Sequence, residues 1–388
     1  MKITNIKSLY SEIKKNRNAV EKIISDVRTG NFEGFTPPST LIGAFNYPRV
    51  SVGVMFTMDQ SAYLYDSPKY WVKNGYDVSK IFSMRTLLVN AKELINVKKP
   101  NGKFIESISF ATMAKNDLAV GLGLSKIGAG GIVSDTIAPH GITATLSSFK
   151  INENVKIEKP VEKVYYDRDL RATEGITYLY ESGIDDNKIS KILSVGALGI
   201  SRKLVPTKWS ITAVDDILGK KLIDEIKLYN TGDECFVRSG TVLGNHFTFI
   251  FMTGNWSFEL LEAGNKDGNN LLIGESDYEL FDGRKEYVSN TAGAYYAIRL
   301  AVLEKLKKLK RQFSVLVIRE ITPDYFVPLG VWVVREGARK VLDSDPEQVG
   351  ELANAIKTAK KLTIYPIDFD RRSKLIYQKE KQNKLTDF

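Results

Sequence analysis

The sequence predicts an α/β fold (mixed α+β) of two packed units with a mixed sheet, ending in a flexible basic C-terminal tail. Three observations predict it. The chain has 388 residues, 43% of them hydrophobic and 26% charged, a globular composition long enough for two cores. Apolar residues recur with period two in some segments and at helical spacing in others, an order that points to a mixed sheet with helices. From Arg371 to Phe388 six residues are basic, two are acidic and few are apolar, so little there would bury itself.

The elements follow in order. Ile6, Leu9, Ile13, Val20, Ile23 and Ile24 stand at helical spacing among lysines, an amphipathic helix or helix pair. Gly30 and the Pro37–Pro38 pair break it. Leu41 to Phe56 reads as two strands around Tyr47–Pro48, with Val50, Val52 and Val54 alternating with Arg49, Ser51 and Gly53. Asp66 or Ser67 caps a helix with Pro68 first inside it, and a second helix is expected over Val78–Leu94. Gly128 to Asp135 (GAGGIVSD) lacks the ending and spacing of a phosphate loop and reads as a flexible loop. Asp169 to Leu198 reads helix, Gly183 turn, helix, which resembles a helix–turn–helix by spacing. Ile217 to Tyr229 is helical. His246 to Met252 alternates strictly, with Phe247, Phe249 and Phe251 on one face. Gly293 to Phe313 is the clearest helix, with Tyr295, Ile298, Val302, Leu306, Leu309 and Phe313 in one stripe. Ser314 to Ile321 is a buried strand, and Gly330 to Leu342 reads as a strand running into a helix. The loop Gly264–Asn270 is the expected boundary, giving units 1–265 and 266–370 and an exposed tail 371–388.

Composition narrows the chemistry. The net charge is +9, from 55 basic and 46 acidic residues, so an anionic partner requires clustering of the excess. With Cys235, His140 and His246 as the whole N/S donor set, no disulfide can form within the chain and no zinc site is expected. His140 reads as a turn residue and His246 as a strand residue. No secretory leader or membrane span is expected, so the location read from the sequence is cytoplasmic.

The densest chemistry lies in Ser201–Asp216, SRKLVPTKWSITAVDD. Arg202, Lys203, Lys208 and Trp209 suit phosphates and bases. Lys307, Lys308 and Arg311 form a second basic face that can be read as DNA-binding. Asp215 and Asp216 read either as first-turn residues of a helix capped by Ser210 or Thr212, or as a catalytic pair holding Mg2+ or Mn2+ with Glu259 and Glu262. At the C-terminus Gln382, Leu385 and Phe388 are spaced three apart, so Leu385 and Phe388 would project from one side of a 3₁₀ turn. That is the spacing by which repair proteins bind the sliding clamp (PCNA), although the usual motif carries two adjacent aromatics and this one has a single Phe.

LSVGALGISRKLVPTKWSITAVDD, with YPRVSVG, DSPKYW, GAYYAIRLAVLEKL, KRQFSVLVIREI and PLGVWVVRE in this order, resembles the archaeal Nre family of DNA repair proteins over nearly the whole chain. The resemblance implies a role in DNA damage repair and clamp binding through Gln382, Leu385 and Phe388. Relatives often carry an N-terminal cysteine cluster, and this chain has no cysteine before Cys235. Three functions stay open at this point: a clamp-recruited repair factor with its own DNA surface, a metal-dependent nuclease using Asp215 and Asp216, and a non-catalytic scaffold between the clamp and other repair proteins.

Overall fold

A computed structural model describes residues 25, 31–98, 102–128, 136–265, 271–274 and 276–386. The amphipathic N-terminal stretch, the GAGGIVSD loop beyond Gly128, positions 266–270 of the expected boundary loop, and Phe388 lie outside them. The described chain forms two compact units. One holds the residues up to Leu218 with Val327–Gly330. The other holds Gly219–Phe326 and the residues from Val331 onward.

The first unit runs β1 (Asn31–Thr36), β2 (Thr40–Ile42), β3 (Arg49–Phe56), a 3₁₀ turn (Ala62–Asp66), α1 (Pro68–Lys73), α2 (Val78–Thr86), β4 (Val89–Asn96), α3 (Lys103–Met113), β5 (Leu118–Gly128), β6 (Thr143–Ile151), α4 (Lys159–Tyr166), α5 (Ala172–Glu181) and α6 (Asp186–Ser194). Helix α7 (Thr207–Ile226) carries the chain into the second unit. The sheet order is β1-β5-β6-β4-β3-β2. Only the β4–β6 pair is parallel among the described strands of this sheet. Val50, Val52 and Val54 are fully buried as their alternation predicts. Ser67 holds the N-cap position of α1 and Pro68 opens it, as read from the sequence. One core lies on the sheet, where Phe32, Phe56, Val89, Ala91, Val120, Leu122 and Leu146 meet Ala111 and Ala114 at the end of α3.

The helix expected over Val78–Leu94 ends at Thr86, and the remainder is strand β4. Leu87, Leu88, Ala91 and Leu94 fit a helical stripe, but hydrogen bonding to β3 on one side and β6 on the other favours the extended chain. Tertiary pairing outweighs a local preference worth only about 0.5 kcal/mol per residue.

The second unit adds β7 (Cys235–Val242), β8 (Asn245–Met252), β9 (Ser257–Asn265), β10 (Leu271–Ile273), β11 (Asp277–Glu279), α8 (Ala292–Leu309), β12 (Ser314–Ile321), α9 (Trp332–Leu342), β13 (Glu347–Gly350), α10 (Leu352–Leu362), α11 (Phe369–Arg372) and α12 (Lys374–Thr386). Its sheet order is β10-β9-β12-β8-β7-β13, with β11 also on β9. The pairing of β9 with β12 is parallel and the rest are antiparallel. Ile250 and Met252 face a core completed by Ala355, Ala359, Phe369, Leu375 and Ile376. Phe247, on the alternate face, lies against Gly337 of α9. Strand β8 is buried on both faces, so Ile250 and Met252 are apolar on the face opposite Phe247, Phe249 and Phe251.

Two further expectations change here. Val331 to Val334, read as strand, belongs to the start of α9 because a short buried apolar run does not distinguish strand from helix. The segment from Arg371, expected to be exposed and flexible, is helical, and Ser373, Leu375 and Ile376 are buried. Leu375 and Ile376 supply enough apolar surface to dock the basic segment, despite its charge. No helix among the described residues is long and apolar enough to cross a membrane.

Candidate nucleic-acid interface

The loop between β2 and β3 carries two aromatic side chains into solvent, Phe45 at 84% exposure and Tyr47 at 52%. Trp209, in the first turn of α7, is 46% exposed, and its ring lies 5.6 Å from that of Tyr47 at 51°. Apolar rings left in water beside cations form a surface on which bases stack. The backbone beneath them is tied down. The Ile42 N–H donates to Thr207 Oγ1 at 2.8 Å, fastening β2 to the start of α7. Ser194 Oγ donates to the Val205 carbonyl at 2.7 Å, and the Val205 N–H donates to the Ser194 carbonyl at 2.9 Å. Arg49 at the start of β3, Lys203 before α7 and Lys208 in its first turn are exposed. Sequence reasoning found Lys203, Lys208 and Trp209 but missed Phe45, Tyr47 and Arg49. Two aromatics within three residues of a proline turn were the available signal.

Arg202 does other work. Its Nη2 donates to the carbonyls of Tyr165 and Asp167, each at 2.9 Å, and more weakly to Val164 at 3.4 Å. Its Nη1 donates to the Ala197 carbonyl, and the guanidinium lies over the Tyr165 ring. Most of these carbonyls are at the C-terminal end of α4, which lacks intrahelical partners there and favours a cation. Arg202→Ala should therefore cost about 1–3 kcal/mol of stability through unsatisfied carbonyls. A urea titration would measure that loss.

The four carboxylates proposed as metal ligands are not arranged for that task. Helix α7 begins at Thr207, directly after Pro206, so Asp215 and Asp216 sit in its third turn rather than its first. Asp215 is fully buried, and both aspartates are engaged within the fold. Glu259 and Glu262 lie three apart on β9 and therefore point to opposite faces of the sheet. Glu262 pairs with Arg319, its register partner on β12. Glu259 is fully buried and accepts from Ser276 Oγ and Ser373 Oγ, each at 2.6 Å, and from the N–H groups of Lys374 and Leu375 at 3.1 and 3.0 Å. It is the anion that caps helix α12 from across the sheet. Among the described residues no three His, Cys, Asp or Glu side chains gather to hold a metal ion.

The remaining candidates divide similarly. Lys307 pairs with Glu225 at 2.7 Å and Lys308 with Asp343 at 3.6 Å, on exposed faces where acids match the bases. Arg311 is half-buried, with Nη1 on the Lys310 carbonyl at 3.3 Å. The helix–turn–helix spacing is real, but Ile189, Ser190, Ile192, Leu193 and Ser194 of α6 are buried, so α6 is not free to enter a groove. His140 hydrogen-bonds Gly141 O and Asn90 inside the first unit, and burial pushes it down to about 4. His246 bonds Thr241, Ser239 and the Leu362 carbonyl, and burial lowers it too. Both are structural, as read from the sequence. Gln382 and Leu385 belong to α12, whose last side chains are outside the described set together with Phe388.

Comparison with known proteins follows the same outline. A family model described as "Archaeal Nre, N-terminal" matches residues 7–268, and one described as "Archaeal Nre, C-terminal" matches residues 279–388. A "DNA repair protein NreA" of Archaeoglobus fulgidus is 37% identical over 332 residues, 84% of this chain and 83% of the relative. A "DNA repair protein NreA" of Haloferax volcanii is 34% identical over 347 residues, 85% of this chain and 83% of the relative. A "DNA repair protein NreB" of A. fulgidus is 37% identical over 316 residues, 79% of each chain. No solved structure matches the chain. The chain belongs to the archaeal Nre family.

Proposed function

We propose that this chain is a DNA repair factor that meets DNA through the Tyr47–Trp209 platform and is recruited by the sliding clamp (PCNA) through Gln382, Leu385 and Phe388. The observation that carries the DNA contact is the exposed aromatic pair, 5.6 Å apart, on two segments that also bear the exposed Arg49, Lys203 and Lys208. The printed names of the relatives, each a DNA repair protein, support the role. The platform suits unpaired bases, since stacking needs an open base face. Burial of α6 removes the element that would have read a major groove.

The test is fluorescence anisotropy with a labelled single strand. Replacing Lys203, Lys208 and Trp209 together with alanine should weaken binding by about tenfold or more, the loss of one stacking contact and two phosphate contacts. The salt slope should fall by about 1.4. Wild-type affinity in that variant removes the platform. Deleting residues 382–388 should abolish clamp binding while leaving the melting transition unchanged. Clamp binding that survives the deletion removes the tail from the reading.

A further inference from the structure

A cleft of about 740 Å³ opens in the first unit, and its lining shares no residue with the Tyr47–Trp209 platform. Its size is in the range of small-molecule sites. The walls come from the Pro37–Pro38 turn, the 3₁₀ turn with α1, the α3–β5 turn and the start of α6.

The floor is a set of ion pairs. Lys188 Nζ donates to both Glu158 oxygens, at 2.8 and 2.6 Å, and to the Ala114 carbonyl at 2.7 Å. Lys191 Nζ lies 2.5 Å from Asp66, which also pairs with Arg85 at 2.7 Å. Glu158 is held by one cation and Asp66 by two, so the floor offers no free carboxylate to a bare metal ion.

The rim differs. Tyr63 and Tyr70 are 47% and 39% exposed, with rings 6.3 Å apart and nearly perpendicular. Lys115 is exposed beside them, and Lys69 shares its half-exposed charge with Asp185 at 2.9 Å. In the wall, Asp117 Oδ2 accepts the Tyr63 N–H at 2.9 Å, while Oδ1 is shielded from water and has no hydrogen-bond partner. Asp117 is half-buried and lines the cleft, so an unsatisfied acceptor there needs a partner, and a small rotation of the carboxyl would present it to the cleft. Burial, with the charge of Asp59 nearby, pushes this carboxyl up to about 6.

A flat ring to stack on, an edge acceptor and a cation outside them are the three things a nucleotide requires together. We propose that this cleft binds a single nucleotide, its base on Tyr63 and Tyr70 with an N–H edge toward Asp117, and its phosphate at Lys69 and Lys115. The nucleotide arrives free or as an extrahelical residue of a strand, and the base and phosphate chemistry is the same for both.

Calorimetric titration with the four deoxynucleoside 5′-monophosphates tests the site. Saturable binding is expected, with deoxyribose 5-phosphate weaker by about tenfold because it lacks the stacking base. Tyr70→Ala and Lys115→Glu, both at exposed positions and checked for fold by circular dichroism, should each weaken the monophosphates by about tenfold. A duplex with one extrahelical nucleotide separates the sources. Preference for it over a fully paired duplex, lost in Tyr70→Ala, assigns the strand, and monophosphate binding without that preference assigns the free nucleotide. No saturation by any monophosphate and no duplex preference, or binding untouched by both variants, overturns the site. Loss of monophosphate binding in Tyr70→Ala and Lys115→Glu is read on its own, whatever the Lys203, Lys208 and Trp209 replacement does to single-strand binding, so the cleft and the platform can fail separately.

Discussion

Asp66→Ala is expected to lower the unfolding free energy by about 3–5 kcal/mol, the cost of stranding a buried cation. Arg85 is buried, and its Nη1 meets Asp66 Oδ1 at 2.7 Å while its Nε donates to the Pro139 carbonyl at 2.7 Å. Lys191 approaches the other Asp66 oxygen at 2.5 Å. Burial alone would raise the Asp66 carboxyl, but Lys191 and Arg85 outweigh it and hold the group well below its ordinary value. A carboxyl lowered on folding binds fewer protons folded than unfolded, so it stabilises the fold above the unfolded value of 3.8. That contribution drains away as the pH falls below this value. Urea titrations at neutral pH measure the first effect. The same titrations carried down through pH 4 should show a steep loss in the wild type and a flatter profile in Asp66→Asn. Equal stability of Asp66→Ala and wild type at neutral pH would show that the Arg85–Asp66–Lys191 cluster does not hold α6 and the 3₁₀ turn together.

Glu259→Ala is expected to cost about 3 kcal/mol or more, because it leaves two hydroxyls and two backbone N–H groups without their acceptor. The effect should be local as well as global. Glu259 supplies the charge at the N-terminus of α12, through Ser373 Oγ and the N–H groups of Lys374 and Leu375. Hydrogen exchange at Lys374 and Leu375 should therefore accelerate more than exchange in the central strand β8. Glu259→Gln keeps one acceptor oxygen and should fall between the two. Unchanged exchange at those amides would show that α12 is held by Leu375 and Ile376 alone. The same helix bears Gln382 and Leu385, so this carboxylate anchors the base of the proposed clamp-binding segment.

Local order was legible wherever one period ran without competition. The Val50–Val52–Val54 alternation, the Ser67–Pro68 helix start, the Phe247–Phe249–Phe251 strand and the Tyr295–Ile298–Val302–Leu306 part of the stripe appear as their spacing predicts, while the helix ends at Leu309, which is exposed, and Phe313 lies beyond it. Spacing misled at Leu87–Leu94, where a helical stripe is also a usable strand, and at Val331–Val334, where a buried helix start looks like a strand. In both cases the neighbouring elements supply the hydrogen bonds or the burial that choose.

The candidate site divides along the same line. The residue types that chemistry would require were visible in the sequence, including the basic and aromatic content of Ser201–Asp216 and the three-residue spacing of Gln382, Leu385 and Phe388. Which of those groups are available was decided by the tertiary structure. Arg202 reaches back to carbonyls more than thirty positions earlier, at Tyr165 and Asp167, while Trp209 meets Tyr47 from the other end of the first unit's sequence. Glu259 meets Leu375 at a separation of 116 residues. A side chain's charge and shape belong to its own position, but its partner is set by the packing of distant segments. The sequence by itself therefore determined the family, the main helices and strands and the inventory of functional groups. Only the fold decided that Arg202 and Glu259 are spent on helix ends, leaving Lys203, Lys208 and Trp209 in solvent.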